Sequence, residues 1–245
     1  MRSLLASRSR VPEIMDRLDL DPERHVAALR GLARLNAWSG SAGILWPPIE
    51  RLFRERAHAG GATATVPFRI LDIASGAGDV PIRIALRANR LGFPVEVTGC
   101  DRSPIALEHA RREASLRSVS VRFLECDVVQ EDLAGDYDVV MCSLFLHHLE
   151  DSCAVRVLQA MRQAARSLVL VCDLDRRPAG LVLTWAATRL LTLSDVVRFD
   201  GPASVRAAFT PEEAAAIAGR AGLIGAVIER RWPFRWLLEW RVPAP

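Results

Sequence analysis

Ile70-Leu71-Asp72-Ile73-Ala74-Ser75-Gly76-Ala77-Gly78-Asp79 is the stretch on which the fold turns. The apolar run Phe68 to Ile73 reads as a buried strand. It gives way to two glycines set two residues apart, and a helical pattern follows from Pro81 to Asn89. Strand, glycine-rich turn and helix open a βαβ unit. Gly76 and Gly78 permit a tight turn and a close backbone approach to a ligand.

Outward from this loop the alternation repeats. Strands are expected at Val95 to Cys100, Val119 to Glu125, Tyr137 to Cys142 and Ser167 to Cys172, with helices at Pro104 to Ser115 and Ser152 to Ala165. Alternation of this kind means a parallel sheet covered on both faces, and the Val/Ile/Leu runs suit doubly buried strands. Residues 1–65 are expected to form an N-terminal helical cap, in which Val26, Leu29, Leu32 and Leu35 recur at helical spacing. Pro47-Pro48 is read as the start of a short helix through Phe53. Residues 66–245 are expected to form the main domain. Within it an insert of about 179–208 is led by one apolar helix, Ala179 to Val197. Thr210-Pro211-Glu212-Glu213 is a helix start with Thr as N-cap and Pro at N1. Ile224 to Glu229 and Phe234 to Val242 read as closing strands.

In an open α/β sheet, ligands bind outside the carboxyl ends of the strands. The informative residues are therefore those that end each strand. Asp101 can accept both ribose hydroxyls of a nucleoside, although Ser103 competes with it to cap the next helix. Asp127 is placed to accept from an adenine amino group. Ser143 and the His147-His148 pair follow strand four, and Asp173 ends strand five. A glycine-rich loop alone also suits nicotinamide enzymes. The third glycine of their G-x-G-x-x-G fingerprint is Pro81 here. Proline removes an amide where a diphosphate would sit, so an adenosyl cofactor without phosphate fits better.

These residues resemble the class I S-adenosylmethionine-dependent methyltransferases. Asp72 to Asp79 is similar to their first motif, with Ala74 where glycine is usual. Gly99-Cys100-Asp101-Arg102-Ser103 resembles the acidic second motif, and Cys126-Asp127-Val128 the third. Tyr137-Asp138-Val139-Val140 leading to Leu146-His147-His148-Leu149 resembles the fourth-strand region. The likeness covers roughly residues 66 to 175. It is closest to small-molecule O-methyltransferases of the quinone and natural-product type. It implies an α/β, Rossmann-like, doubly wound sheet of seven strands, with the last one antiparallel. It also implies S-adenosylmethionine as cofactor and S-adenosylhomocysteine as product. Asp72, Ala74, Ser75, Gly76, Gly78, Asp101, Arg102, Asp127, Val128 and Ser143 would hold the cofactor. Ala165-Arg166-Ser167 stands where the family has a Pro-Gly-Gly turn. Ala74 is tolerable at negative φ and costs about 1 kcal/mol at positive φ.

In relatives carrying the His-His pair, the first histidine is the general base and the aspartate ending strand five supports it. Those positions are His147 and Asp173, with His148 as the second candidate. Neighbouring residues are expected to diverge, so only one should face the cleft. Imidazole suits proton abstraction near neutral pH. Trp38, Trp46 and Trp185 are candidates to wall an apolar acceptor pocket, and Arg198 and Arg206 to bind an acidic or phenolate acceptor. Asp175, Arg176 and Arg177 read as a solvated turn. The leading acceptor is a hydroxyl on a small apolar or aromatic molecule of secondary metabolism. Carbon or nitrogen methylation, or a non-catalytic adenosyl-binding module, are the alternatives. Ser143-Leu144-Phe145 stands where amino-group methyltransferases of nucleobases and glutamine carry a proline-rich motif, which argues against those acceptors.

The bulk numbers narrow the classes further. The chain has 245 residues, half of them apolar, which suffices for one large domain and a cap. A net charge of +3 gives no compositional support for a nucleic-acid partner. The five cysteines show no metal-ligand spacing and no disulfide framework, so no metal is expected and a reduced cytoplasmic protein is. Leu181 to Val197 is interrupted by Arg189 and Asp195, so stable membrane insertion is not expected. A homodimer is compatible with the reading.

Overall fold

Phe68–Ile73 forms β1, with every residue but Arg69 buried, as a strand covered on both faces requires. The computed structural model describes residues 5–17, 19–60, 67–133 and 135–243, with backbone only at 59 and 60. The boundary expected at residues 65 and 66 lies outside the described residues. After β1 come α3 (Asp79–Arg90), β2 (Val95–Asp101), α4 (Pro104–Leu116), β3 (Arg122–Glu125) and β4 (Tyr137–Ser143). Then follow α5 (Asp151–Ala164), β5 (Ala165–Leu174), α6 (Pro178–Leu191), α7 (Asp195–Ala207), α8 (Pro211–Arg220), β6 (Val227–Arg231) and β7 (Arg235–Arg241). Ahead of β1 stand α1 (Pro22–Ser39) and α2 (Ser41–Gly60).

The sheet order is β3-β2-β1-β4-β5-β7-β6. β1 runs parallel to both β2 and β4, and β7 is antiparallel to β5 and β6. This is the Rossmann-like sheet with its last strand reversed. Alternate residues serve opposite layers. Ile73, Val140 and Val171 pack toward Leu158 and Met161 of α5 and Ile217 of α8. Ile70, Met141 and Leu170 pack toward Ile49 of α2, Ile84 of α3 and Leu107 of α4. Each such side chain contributes roughly 1.5–3 kcal/mol by leaving water. The strand order reverses between β1 and β4, the kind of switch point beside which open α/β sheets bind their ligands.

Several elements differ from the sequence expectations, β6 among them, which spans Val227–Arg231 where Ile224 to Glu229 was expected. Pro47 and Pro48 sit inside α2 and do not start it, because Leu45, Trp46 and Ile49 around them are all buried against the sheet. Packing overrides the proline cost here. The expected single helix Ala179 to Val197 is two helices broken at Thr192. Ser194 caps α7 by accepting from the Val197 N–H, and a Cβ built on Gly201 would come within 2.6 Å of Thr188, so the two helices cross closely. β3 starts at Arg122 rather than Val119. The missing Pro-Gly-Gly turn is explained by α5 passing directly into β5 at Ala165. Thr210 caps α8 in a capping box with Glu213, as expected. Among the described residues no helix is long and apolar enough to cross a membrane.

Candidate active site

The loop from β1 to α3 is built from left-handed backbone. Ala74, Gly76 and Gly78 have φ of +51°, +51° and +72°. Ala74 therefore carries the strain that a negative φ would have avoided, about 1–2 kcal/mol. The two glycines serve different ends. A Cβ on Gly78 would lie 2.8 Å from both Ala110 Cβ and Phe123 Cζ, so this glycine is required by the protein's own packing. A Cβ on Gly76 meets no heavy atom within 4 Å, so its backbone faces open space.

Asp101 ends β2 and clamps this loop. Its Oδ2 accepts from the Gly76 N–H at 2.8 Å and its Oδ1 from the Ser103 N–H at 2.9 Å. Ser103 caps α4, which leaves the remaining carboxylate lone pairs of Asp101 for a ligand. Asp127 caps its own turn, accepting from the Val129 N–H at 3.0 Å, above the buried Val128. Ser143 ends β4 half-buried.

Asp72 Oδ1, Ser75 Oγ, Asp79 Oδ2 and Asn36 Oδ1 are buried without a hydrogen-bond partner. Burial raises the Asp72 carboxyl well above its ordinary range, and the neighbouring Asp79 and Asp101 add to this. Burial likewise raises Asp79 to about 6. A cluster of orphaned polar atoms and crowded carboxylates calls for a ligand that brings donors and positive charge. The ammonium and sulfonium groups of S-adenosylmethionine fit that demand, whereas a diphosphate would be repelled. α1 closes over the same loop. Leu29 packs on Ala77 and Ala106, and Asn36 Nδ2 lies 3.4 Å from Asp79 Oδ1. His25 of α1, which sequence reading missed, is nearly buried within reach of the Asp101 and Asp16 charges.

Beyond β4 the chain makes one 3-10 turn, Leu146–His148, after Leu144 at φ +54°. His147 is 3 % exposed and its Nδ1 lies 2.7 Å from Asp173 Oδ1. Asp173 also accepts from the His147 N–H at 3.1 Å and the Leu174 N–H at 2.7 Å. Burial pushes the Asp173 carboxyl up, but His147 and these hydrogen bonds prevail and hold it below its ordinary value. His148 does not diverge from its neighbour. The Nε2 atoms of His147 and His148 lie 3.8 and 3.9 Å from the two oxygens of Glu13. His148 Nδ1 meets Asp16 at 3.0 Å. Burial opposes the charge on His148, yet Asp16 and Glu13 outweigh it and raise its pKa to about 9.

Glu13 and Asp16 belong to residues 5–17, which strap across the strand ends. Arg8 donates to the carbonyls of Ala207, His147 and Leu149 and to Asp151, and it covers the Phe209 ring at 3.5 Å. The N–H groups of Ile14 and Met15 donate to Asp200. Arg102 reaches the strap through Asp16 at 3.1 Å. No local sequence signal marks these contacts, since every partner lies far along the chain.

The remaining sequence candidates are dispersed. Trp38 and Trp185 are exposed, the first against Trp232 and the second under Arg189. Trp46 is buried beside Phe93 and walls no pocket at the strand ends. Arg198 donates to the carbonyls of Thr192 and Arg189 and thereby secures the α6–α7 turn. The Arg206 side chain is exposed. The expected solvated turn is in large part buried. Asp175 is 2 % and Arg176 5 % exposed, because Arg176 pairs with Glu213 and donates to the Leu5 carbonyl.

A family profile described as "Methyltransferase domain" matches residues 70–167. Demethylmenaquinone methyltransferase of Deinococcus radiodurans is 35% identical over 104 residues, 42% of this chain and 41% of that protein. The enzyme of the same name from Thermus thermophilus is 36% identical over 91 residues, 37% of this chain and 40% of that protein. The matches thus span about two fifths of these relatives' length. Magnesium protoporphyrin IX methyltransferase from Synechocystis, solved with bound S-adenosylhomocysteine, superposes with a TM-score of 0.53 at 18% identity. That match covers 80% of this chain and 82% of that one. The motif loop, the acidic strand ends and the reversed last strand agree with these likenesses: residues 70–167, about two fifths of the chain, match the methyltransferase-domain family.

Proposed function

We propose that this protein transfers a methyl group from S-adenosylmethionine to a hydroxyl oxygen of a small apolar or aromatic molecule, with S-adenosylhomocysteine as product. The observation that carries the reading is the buried His147–Asp173 pair at the strand ends that also bear the buried acidic cluster. When bound, the cofactor supplies an electrophilic methyl group. Asp101 would take its ribose, Asp127 its adenine, and Asp72, Ser75, Asp79 and Asn36 its cationic end, with the exposed Gly76 backbone alongside. Arg102, Val128 and Ser143 line the same strand ends.

Asp173 is kept ionised and fixes the Nδ1 proton of His147, so Nε2 carries the lone pair. His147 takes the acceptor's hydroxyl proton at Nε2, and Asp173 stabilises the imidazolium that results. Closing residues 5–17 and α1 over the strand ends excludes water and holds the acceptor oxygen in line. Such positioning is worth on the order of 7–11 kcal/mol in well-oriented cases. Residues 1–65 act as a cap and 179–208 as acceptor cover. Val182, Trp185 and Phe199 give that cover an apolar surface. Arg198 and Arg206 stand beside it. Five free cysteines suit a reducing cytoplasm.

The test is incubation with methyl-labelled S-adenosylmethionine and a panel of phenols, hydroxy acids and amines. His147→Ala should lower turnover about 10²- to 10⁴-fold, with cofactor affinity by calorimetry little changed. Undiminished turnover would remove His147 from the mechanism. Cofactor binding with no transfer to any panel member would favour a non-catalytic module.

A further inference from the structure

Two imidazoles and a carboxylate converge where residues 5–17 cross the strand ends. One ligand atom each from Glu13, His147 and His148 lies within 4.8 Å of the other two. Each histidine is oriented in the same way. Its Nδ1 rests on a carboxylate, Asp173 at 2.7 Å for His147 and Asp16 at 3.0 Å for His148. Its Nε2 points to Glu13, at 3.8 and 3.9 Å. Those separations are too long for hydrogen bonds. They exceed by about half an ångström the roughly 3.3 Å between ligands around a tetrahedral ion bonded at 2.0–2.1 Å. A carboxylate behind each imidazole, with the distal nitrogens facing a shared third ligand, is the arrangement that orients histidines toward a transition metal. Charge agrees. Glu13, Asp16 and Asp173 surround two imidazoles, and Arg102 on Asp16 is the one arginine that pairs with any of the three among the described residues.

We propose that Glu13, His147 and His148 bind a divalent ion of the zinc class, backed by Asp16 and Asp173. Two imidazoles and one carboxylate select zinc, cobalt or nickel over magnesium or calcium, which favour oxygen ligands. The ion ties the strap to the turn after β4, because Glu13 comes from the one and both histidines from the other. It also occupies His147 Nε2. Resting on the reading of His147 as the base, the filled site is a brake on methyl transfer. The binding itself does not depend on that reading.

The whole chain, stripped with a chelator, is titrated with zinc by calorimetry at pH 8, where zinc binding releases protons from its ligands. One tight site is expected, with no response to magnesium. Glu13→Gln and His148→Ala should each abolish tight binding, and Asp16→Asn should weaken it about 10- to 100-fold. Circular dichroism confirms that each variant is folded. Cobalt(II) at the site should show no thiolate charge-transfer band, which excludes the cysteines as ligands. Zinc should also slow proteolysis within residues 5–17 in the unaltered chain and not in Glu13→Gln. No zinc binding, or equal binding in the unaltered chain and these variants, overturns the proposal. Tight binding that leaves methyl transfer uninhibited keeps the metal site and removes the base role from His147.

Discussion

Replacing Gly78 with alanine should destabilise the protein by about 2–3 kcal/mol without touching a ligand. The backbone there has φ +72°, which costs an L residue about 1–2 kcal/mol. About 0.4–1 kcal/mol returns through the stiffer unfolded chain. The new methyl would stand 2.8 Å from both Ala110 Cβ and Phe123 Cζ, two groups in the buried layer beneath the loop. Overpacking of this kind costs about 1–3 kcal/mol. Gly76→Ala is the internal control. Its φ is +51° and its Cβ meets nothing within 4 Å, so it should lose only the backbone contribution, about 0–1.6 kcal/mol after the entropy gain. Urea unfolding followed by tryptophan fluorescence measures both. Phe123→Leu in the Gly78→Ala background should recover part of the loss, as expected for residues in contact. Equal stability of the two alanine variants would refute the packing argument. Cofactor affinity supplies the reverse contrast, falling further in Gly76→Ala.

Ala74→Gly removes about 1–2 kcal/mol of left-handed strain and costs about 0.4–1 kcal/mol in the unfolded chain. It should be neutral to slightly stabilising in the same urea assay, and a clear loss would contradict the strain. Asp173→Asn offers a single acceptor oxygen to three donors, the Nδ1 and N–H of His147 and the Leu174 N–H. It should cost about 1–3 kcal/mol of stability and reduce kcat/KM by about 10³–10⁴, while cofactor affinity by calorimetry holds. Asp79 titrates at about 6 in the fold because it is buried, above its unfolded value. The folded chain thus holds this proton between about pH 4 and 6 where the unfolded chain has released it, and stability falls as pH rises through that window. Asp79→Asn should remove about 2 kcal/mol of that fall between pH 4.5 and 7, read from urea unfolding at those two pH values, and an unchanged pH slope would rule the assignment out.

The sheet was legible because doubly buried strands leave unbroken apolar runs, and because Gly76, Asp101 and Asp127 must stand at strand ends. Pro81 separated an adenosyl ligand from a dinucleotide, and the orphaned atoms of Asp72, Ser75 and Asp79 supply a physical ground for it. What escaped was set by tertiary contact. Pro47 and Pro48 read as a helix start, yet buried Leu45, Trp46 and Ile49 carry α2 through them. The α6–α7 break was written in Ser194-Asp195, an N-cap pair hidden inside a long apolar run. Glu13 and Asp16 carry no local pattern at all, and adjacent histidines read as diverging because a 3-10 turn was not foreseen.

The strap also bears on the order in which the protein assembles. Arg8 bonds the carbonyl of a residue 199 positions later, and Ile14 a carboxylate 186 positions later. Residues 5–17 are therefore synthesised long before their partners exist. The ribosome must deliver β5 and α7 before these contacts can form, and closing such wide loops is slow. The strap can dock only once residues 147–207 have been made, so the strand ends it covers stay open until then.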